Sequence, residues 1–457
     1  MSKRNYSPNG LKRNTLHKAD MQKDKQPKSI TPGTKQTRAT TTGRKKPALL
    51  KPYSKIKSKT DNVWRILAHI GSGGFGDVYK CELEGCSSDE FFAMKTESHT
   101  AKMARLRIEL QILEEITAYC IRKQCPHHFC NLMDSGNTLD FFWIVMTLIG
   151  PSLQTIRKIL HKQFSKTTTL KMSLQILDAL KILHDVGFIH RDLKPGNVCV
   201  GVPPGDDHVL YLLDFGISRR IYRSAKSREL RKERKKVPFF GTRKFCTRAC
   251  HLELDQGRKD DVETWIYTTL DLLHNDKGLP WANCFSDPAK VLEKKLALFE
   301  NPSKELHTCV PQQFCTIIEY VRKLNFEDEV DYAFIETEIH NIAKERNLNL
   351  KDKFDWKGRL EELIKDNEAS KHNRKKEKDE DKGEETLMME RLQQKLKNNK
   401  IADEHQNDRT FSKDDYISEG NKHKDTETRK LRKKHQTKGA LNSESTTKKN
   451  VLDERNF

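Results

Sequence analysis

The segment His190-Arg191-Asp192-Leu193-Lys194-Pro195-Gly196-Asn197 brings a carboxylate, an ammonium and an amide close together in the chain, directly after an apolar helical stretch. Asp214-Phe215-Gly216 follows a strand-like run over residues 209–213. Far upstream, Gly71-Ser72-Gly73-Gly74-Phe75-Gly76 has the spacing G-x-G-x-x-G. A dinucleotide fold uses such glycines to enter a helix. Here Tyr79, Cys81 and Leu83 alternate with Lys80, Glu82 and Glu84 before Gly85. That period of two predicts a strand, so the glycines form a hairpin. A glycine hairpin lets backbone N–H groups approach phosphate oxygens without side-chain clash.

The next run, Phe91-Phe92-Ala93-Met94-Lys95, reads as a strand with a lysine among apolar residues. Ala93 and Lys95 share one face, and Val78 faces the same flat ring from the neighbouring strand. A lysine placed there needs an anion. A helix over residues 102–119 has Leu106, Leu110 and Leu113 as its inward stripe, with Glu109 inside that stripe. A carboxylate on an apolar face is costly unless paired. A Lys95–Glu109 pair would satisfy both groups and aim the ammonium at phosphate. A surface pair of Glu109 with Arg105, one helical turn back, is the competing reading.

These residues, in this order over about 300 residues, resemble the motif set of the eukaryotic protein kinases. Leu148-Ile149-Gly150-Pro151-Ser152-Leu153, the stretch Gly257-Arg258-Lys259-Asp260-Asp261-Val262-Glu263 and the closing Phe354-Asp355-Trp356 resemble the casein kinase 1 superfamily. The Ala-Pro-Glu that usually follows the activation segment is missing, as it is there. Gly187-Phe188-Ile189-His190-Arg191-Asp192 and Asp214-Phe215-Gly216-Ile217-Ser218-Arg219 are most similar to its tau-tubulin kinase-like branch.

The resemblance implies a serine/threonine protein kinase with ATP and Mg2+ as cofactors. Asp192 would orient the substrate hydroxyl and take its proton as the oxygen attacks phosphorus. Lys194 would neutralise charge on the transferring group, and a lysine there is similar to serine/threonine rather than tyrosine kinases. Lys95 and Glu109 complete the catalytic set. Asn197 and Asp214 would supply oxygens to magnesium, a hard ion. The nucleotide would lie against Gly71, Ser72, Gly73, Gly74, Phe75, Gly76, Val78, Ala93 and Lys95. Met146 would guard the back of the adenine pocket, with Leu148 and Ile149 presenting hinge backbone groups. Cys199 stands beneath adenine where an aliphatic residue is usual. Thr242 resembles the threonine that touches the catalytic aspartate and lysine, and Asp261 matches an aspartate that braces the catalytic loop.

Departures bear on substrate choice. Lys244 stands where casein kinase 1 enzymes have the first arginine of a phosphate pocket, and their lysine after Leu-Pro-Trp has no counterpart after Leu279-Pro280-Trp281. Arg243-Lys244-Phe245-Cys246-Thr247-Arg248-Ala249-Cys250-His251 departs from the family's common Ser-Ile-Asn.

The elements that must position these groups divide near Gly150. Residues 61–149 give strands around one helix, ending in a strand over residues 141–146. Helical spacing recurs over residues 170–184, 261–273 and 311–324. The expectation is an α+β, bilobal protein kinase fold with a small β-rich N-lobe (61–149) and a larger helical C-lobe (150–365), the two separated by a cleft. The chain of 457 residues has a net charge of +20. Residues 1–60 carry +15 of it and residues 366–457 only +3, so the core is nearly neutral. Both ends are too polar to join a core and are expected to be a disordered basic arm and a disordered charged tail. A short amphipathic helix over residues 388–401 is the one periodic stretch of the tail.

No run is long and apolar enough to span a bilayer, and the start of the chain lacks a secretory h-region. Eleven scattered cysteines suit reduced thiols. The spacing of Cys120, Cys125 and Cys130 around His127 and His128 is unlike a usual zinc motif and is read as a helix-to-strand loop. The location expected is cytoplasmic, with nuclear import through Gly43-Arg44-Lys45-Lys46-Pro47 as an addition. Residues 217–248 hold 13 Lys/Arg against 2 Glu. That concentration predicts protein substrates with acidic or phosphorylated segments, Lys244 being a phosphate contact and residues 231–236 a looser one. The competing functions are a catalytically silent scaffold on the same fold and a polyanion or microtubule-surface binder acting through the arm. The arm would hold nucleic acid only non-specifically, because aromatic groups for base stacking are few.

Overall fold

The structure is a computed structural model. It describes residues 49–365 except for short internal stretches at 74–75, 87–89, 126–127, 161–163, 203–204, 225–226, 275–278, 307, 309, 361 and 363–364. The amphipathic stretch at 388–401, the basic run at 43–47, and Gly74, Phe75 and His127 all lie outside the described residues.

Six short strands make the N-terminal sheet. Strands β1 (Lys55–Lys57), β2 (Val63–Gly73), β3 (Gly76–Leu83) and β4 (Phe92–Ser98) precede helix α1 (Arg105–Lys123); β5 (Leu132–Asn137) and β6 (Phe141–Thr147) follow it. They form one antiparallel sheet in the order β1-β2-β3-β4-β6-β5. One face buries Trp64, Ile66, Tyr79, Cys81, Met94, Trp143 and Val145. The Trp64 indole donates to Asp134 (2.8 Å) and meets Phe92 edge-on. Helix α1 covers the other face with Leu106, Glu109, Ile112, Leu113 and Ile116. Leu110 is only half-buried and Ile112 and Ile116 take its place in the inward stripe, with Glu109 inside it as expected.

The expected boundary at residue 60 is corrected. Lys55, Ile56 and Lys57 pair with Arg65, Trp64 and Val63, and Ile56 is buried against the sheet. A lone isoleucine between lysines adds too little apolar signal to mark a strand, yet edge pairing with β2 satisfies its backbone.

The rest of the described chain is mainly helical: α2 (Leu153–Ile159), α3 (Lys166–Val186), α4 (Arg248–His251), α5 (Arg258–Leu273), α6 (Pro288–Glu300), α7 (Pro302–Glu305), α8 (Gln313–Lys323) and α9 (Tyr332–Glu345). Short strands β7 (Phe188–Ile189), β8 (Val198–Val200), β9 (Leu210–Leu212) and β10 (Arg219–Arg220) pair as β7 with β10 and β8 with β9. Helix α3 is capped by the Ser165 hydroxyl at its start and ends at Gly187, whose φ of 103° suits glycine. Helix α5 is buried on nearly every side, which explains why its pattern reads only weakly as amphipathic. Phe354-Asp355-Trp356 closes the core. Asp355 accepts from the Ser165 N–H and hydroxyl and from Thr168, Phe354 stacks on Trp356, and the Trp356 indole donates to the Asp207 carbonyl. Among the described residues no helix is long and apolar enough to cross a membrane.

Candidate active site

The loop between β7 and β8 carries Asp192, and three elements hold it in place. From α5, Asp261 accepts the backbone N–H of His190 (2.6 Å) and of Arg191 (2.8 Å), and the His184 imidazole of α3 lies 2.8 Å away. Arg191 adopts φ 69°, a left-handed conformation costing a non-glycine residue roughly 1–3 kcal/mol, and the two bonds to Asp261 compensate for it. Burial works against ionisation of Asp261, but its bonds to His184 and the backbone outweigh this and hold its carboxyl below the usual range. His190 reaches back to the Leu213 carbonyl (3.1 Å), which ties the loop to the strand leading into Asp214. The Phe215 ring is buried against His190 and Phe129.

Asp192 itself is nearly enclosed. Its Oδ1 accepts from the Thr242 N–H (3.1 Å) and hydroxyl (3.0 Å), and its Oδ2 accepts from Lys194 Nζ (2.6 Å). Lys194 also reaches the Thr242 oxygen (2.9 Å). Gly241, just before Thr242, has φ 93°, and a Cβ there would lie 3.2 Å from Asp192 Oδ1. The Asn197 amide also contacts Oδ2 at 3.4 Å, the longest of these four bonds, so a substrate hydroxyl would take the place of this weak contact. Asn197 donates its amide N–H to the Asp192 carbonyl (2.9 Å), which leaves its oxygen as an acceptor.

The sheet supplies the second half. Lys95 on β4 bonds Glu109 on α1 at 2.6 Å and Asp214 at 3.2 Å. The expected Lys95–Glu109 pair is therefore formed. Burial disfavours the Lys95 cation, but the two carboxylates outweigh it and keep the ammonium firmly protonated. Burial likewise opposes the Asp214 charge, and Lys95 overcomes it, so Asp214 stays ionised. Asp214 also adopts φ 69°.

Between the halves, Val78 pairs with Lys95 and Ala93 pairs with Met146 across the sheet. Directly opposed residues share a face, so all four side chains line one side. Leu148 and Ile149 follow β6 and are half-buried, while Cys199 on β8 is buried. Burial pushes the Cys199 thiol up to about 12, so it acts as a small apolar group. At the rim, Gly73 pairs with Gly76, and β3 continues as a strand, as the hairpin reading requires. Gly76 has φ 142°, and a Cβ there would lie 1.8 Å from the Thr96 carbonyl oxygen. Gly71 has no protein atom within 4 Å of a Cβ position, which leaves open space for a ligand above the strand. Ser72 is bound to Asp77 (2.5 Å).

The donor set fits the implied nucleotide and divalent ion. Asn197 and Asp214 offer hard oxygens beside a lysine and an open glycine edge.

Two expected features differ. Lys244 is not free to take a phosphate: its Nζ lies 2.5 Å from the buried carboxylate of Asp271, which Arg157 also holds (2.7 Å). No motif marks Asp271, which is one of several acidic residues on α5. In residues 231–236, Arg234 is bound to Asp255 and Lys236 to Glu253. His128 is committed to the Leu210 carbonyl (2.8 Å) and to Asp178 (3.3 Å).

Residues 64–250 match the protein kinase domain family. A Dictyostelium discoideum protein named as a serine/threonine-protein kinase is 31% identical over 294 residues, covering 64% of this chain and 56% of its own length. A Caenorhabditis elegans protein with a serine/threonine-protein kinase name is 31% identical over 323 residues, 68% of this chain and 78% of that protein. The Caenorhabditis elegans serine/threonine-protein kinase spe-6 is 30% identical over 302 residues, 65% of this chain and 76% of its own.

Proposed function

The chain belongs to the serine/threonine protein kinases, and we propose that it is a member of the casein kinase 1 superfamily acting on acidic or already phosphorylated protein segments. The observation that carries the catalytic reading is the closed set Asp192–Lys194–Thr242, bonded by Asn197, together with Lys95 held between Glu109 and Asp214. Asp192 orients a serine or threonine hydroxyl and accepts its proton. Lys194, fixed between Asp192 and Thr242, places a positive charge where the transferring group passes. Lys95 is preformed by Glu109 to meet phosphate oxygens. Bound ATP and Mg2+ supply the phosphoryl group and neutralise its charge. No group needed for transfer is missing, which disfavours a silent scaffold.

The substrate reading rests on Arg243. It follows Thr242 directly, is exposed, and its guanidinium bonds only the Phe285 carbonyl (3.0 Å) among the described residues. Lys244 and Arg157 share one carboxylate, so that cluster also keeps a surplus positive charge. The test compares matched acidic, phosphoserine and basic peptides at low and high salt. The acidic and phosphoserine peptides should have the higher kcat/KM, with the gap narrowing as salt screens the charge. Equal values for acidic and basic peptides at low salt overturn the substrate reading. Undiminished transfer by Asp192→Asn protein overturns the mechanism.

A further inference from the structure

Asp255, just ahead of α5, has a side chain with no exposed surface, yet it is not part of the catalytic set. Its carboxylate accepts both contacts from the Arg219 guanidinium on β10. It also accepts the Arg234 backbone N–H (3.1 Å), Arg234 Nε (3.0 Å) and Arg234 Nη2 (2.9 Å). Arg219 opens the segment that follows Asp-Phe-Gly, and Arg234 lies in its middle. One buried carboxylate therefore joins two points of the segment, fifteen residues apart in sequence, to the base of α5. The attachment continues on the far side of Arg234, where the Val237 N–H donates to the Glu253 carbonyl (2.7 Å) and Val237 is buried. From Val237 the chain runs straight into Gly241 and Thr242, whose N–H and hydroxyl meet Asp192. Residues 232–236 are exposed and charged; the other attachments nearby are Lys236 to Glu253 and Arg231 back to the Ile221 and Tyr222 carbonyls of the segment itself. Left alone, such a run repels itself and moves.

We propose that Asp255 is the positioning residue of this kinase's substrate-binding segment, a built-in anion that clamps Arg219 and Arg234 and so delivers Thr242 to Asp192. The proposal rests on the kinase reading for its catalytic consequence. Its structural half stands apart, because the clamp governs whether residues 231–236 are held. Removing the carboxylate leaves two arginines facing each other across an empty acceptor site. Each loses its charged hydrogen bonds, and the segment opens. A small carboxylate added to the solvent should then refill the site, a response that a role limited to packing would not give.

The test uses the full chain with Asp255→Ala and Arg234→Gln variants, in chloride or in acetate at equal ionic strength. It measures peptide phosphorylation and tryptic cleavage after Lys232 and Lys235. Asp255→Ala should cut kcat roughly tenfold and speed cleavage by a similar factor, while KM for ATP stays within about twofold. Acetate should restore a large part of both in the variant and leave the wild type unchanged. Arg234→Gln has a half-exposed side chain and no buried charge of its own, so it decides the matter if Asp255→Ala does not fold. It should give a smaller change in the same direction. Wild-type kcat and cleavage in Arg234→Gln overturn the proposal, as does a folded Asp255→Ala that loses activity and does not respond to acetate. If the wild type transfers no phosphate while cleavage still follows Asp255 and acetate, the kinase reading fails and the clamp stands.

Discussion

Replacing Asp261 by asparagine keeps the shape and removes the charge that organises the catalytic loop. The wild-type carboxylate takes three donors: the His190 N–H at 2.6 Å, the Arg191 N–H at 2.8 Å and His184 Nε2 at 2.8 Å. Hydrogen bonds to a charged acceptor contribute about 1.5–3 kcal/mol each. Asparagine retains one oxygen, so it keeps part of this and turns an NH2 toward a buried donor. The expected loss is about 3–5 kcal/mol, a large share of the roughly 5–15 kcal/mol that stabilises a domain. The left-handed Arg191, one residue before Asp192, loses its restraint at the same time, so kcat should fall together with stability. Urea unfolding followed by circular dichroism gives the first number and labelled-phosphate transfer the second. The pH dependence carries a sign. Asp261 has a folded pKa below its unfolded value, so its contribution is complete above about pH 4–5 and is lost as pH falls through the folded pKa. The wild-type minus variant difference should be level from pH 5 to 8 and shrink only in acid. A variant whose unfolding midpoint and kcat both match the wild type refutes the bracing role.

Lys95→Met should abolish transfer and also lower stability by about 1–3 kcal/mol, because it strands the buried Glu109 carboxylate; adding Glu109→Gln should recover the thermal midpoint and no activity, and a single variant as stable as the wild type counts against the pair. Gly76→Ala should destabilise by about 2 kcal/mol or more, since its Cβ would meet the Thr96 carbonyl at 1.8 Å, whereas Gly71→Ala should leave the unfolding midpoint unchanged and raise KM for ATP; the reverse ranking would refute the account of the two glycines. A chain starting at residue 49 should unfold as cooperatively as the full chain, and one starting at residue 61 should be less stable by about 1.5–3 kcal/mol for the loss of Ile56; equal midpoints would show β1 to be dispensable.

The glycine hairpin was legible from a local rule, and the Lys95–Glu109 pair was legible as one of two readings. Period-two patterning separates a hairpin from a helix entry, and a carboxylate in an apolar stripe needs a cation. The paired arginines and carboxylates of the C-terminal part were not legible for the same reason turned round. Asp255, Glu263 and Asp271 sit on or beside α5, and their partners arrive from residues 219, 234, 248, 157 and 244. No spacing rule connects residues so far apart in the chain. β1 was missed on different grounds, since three residues with one apolar member carry too little pattern to register.

The charge of residues 217–248 shows what a sum over sequence leaves out. The segment is strongly positive and the remaining core is negative, and these are two sides of one arrangement. Arg219 and Arg234 meet Asp255, Arg220 meets Glu115, Lys236 meets Glu253, Lys244 meets Asp271 and Arg248 meets Glu263. Every one of those carboxylates lies outside the segment. The excess is therefore spent largely on fixing the segment to the core, where partly buried pairs resist salt screening. What remains for a substrate is a smaller set: Arg228, Lys232, Lys235 and Arg243 are exposed and have no ion pair among the described residues. Only Arg243 adjoins Thr242 and hence Asp192. Any steering of acidic substrates should thus depend far more on Arg243 than on the overall charge, and Arg243→Gln should remove most of the salt-sensitive preference while Lys232→Gln removes little. Equal losses in the two variants would return the effect to a diffuse field.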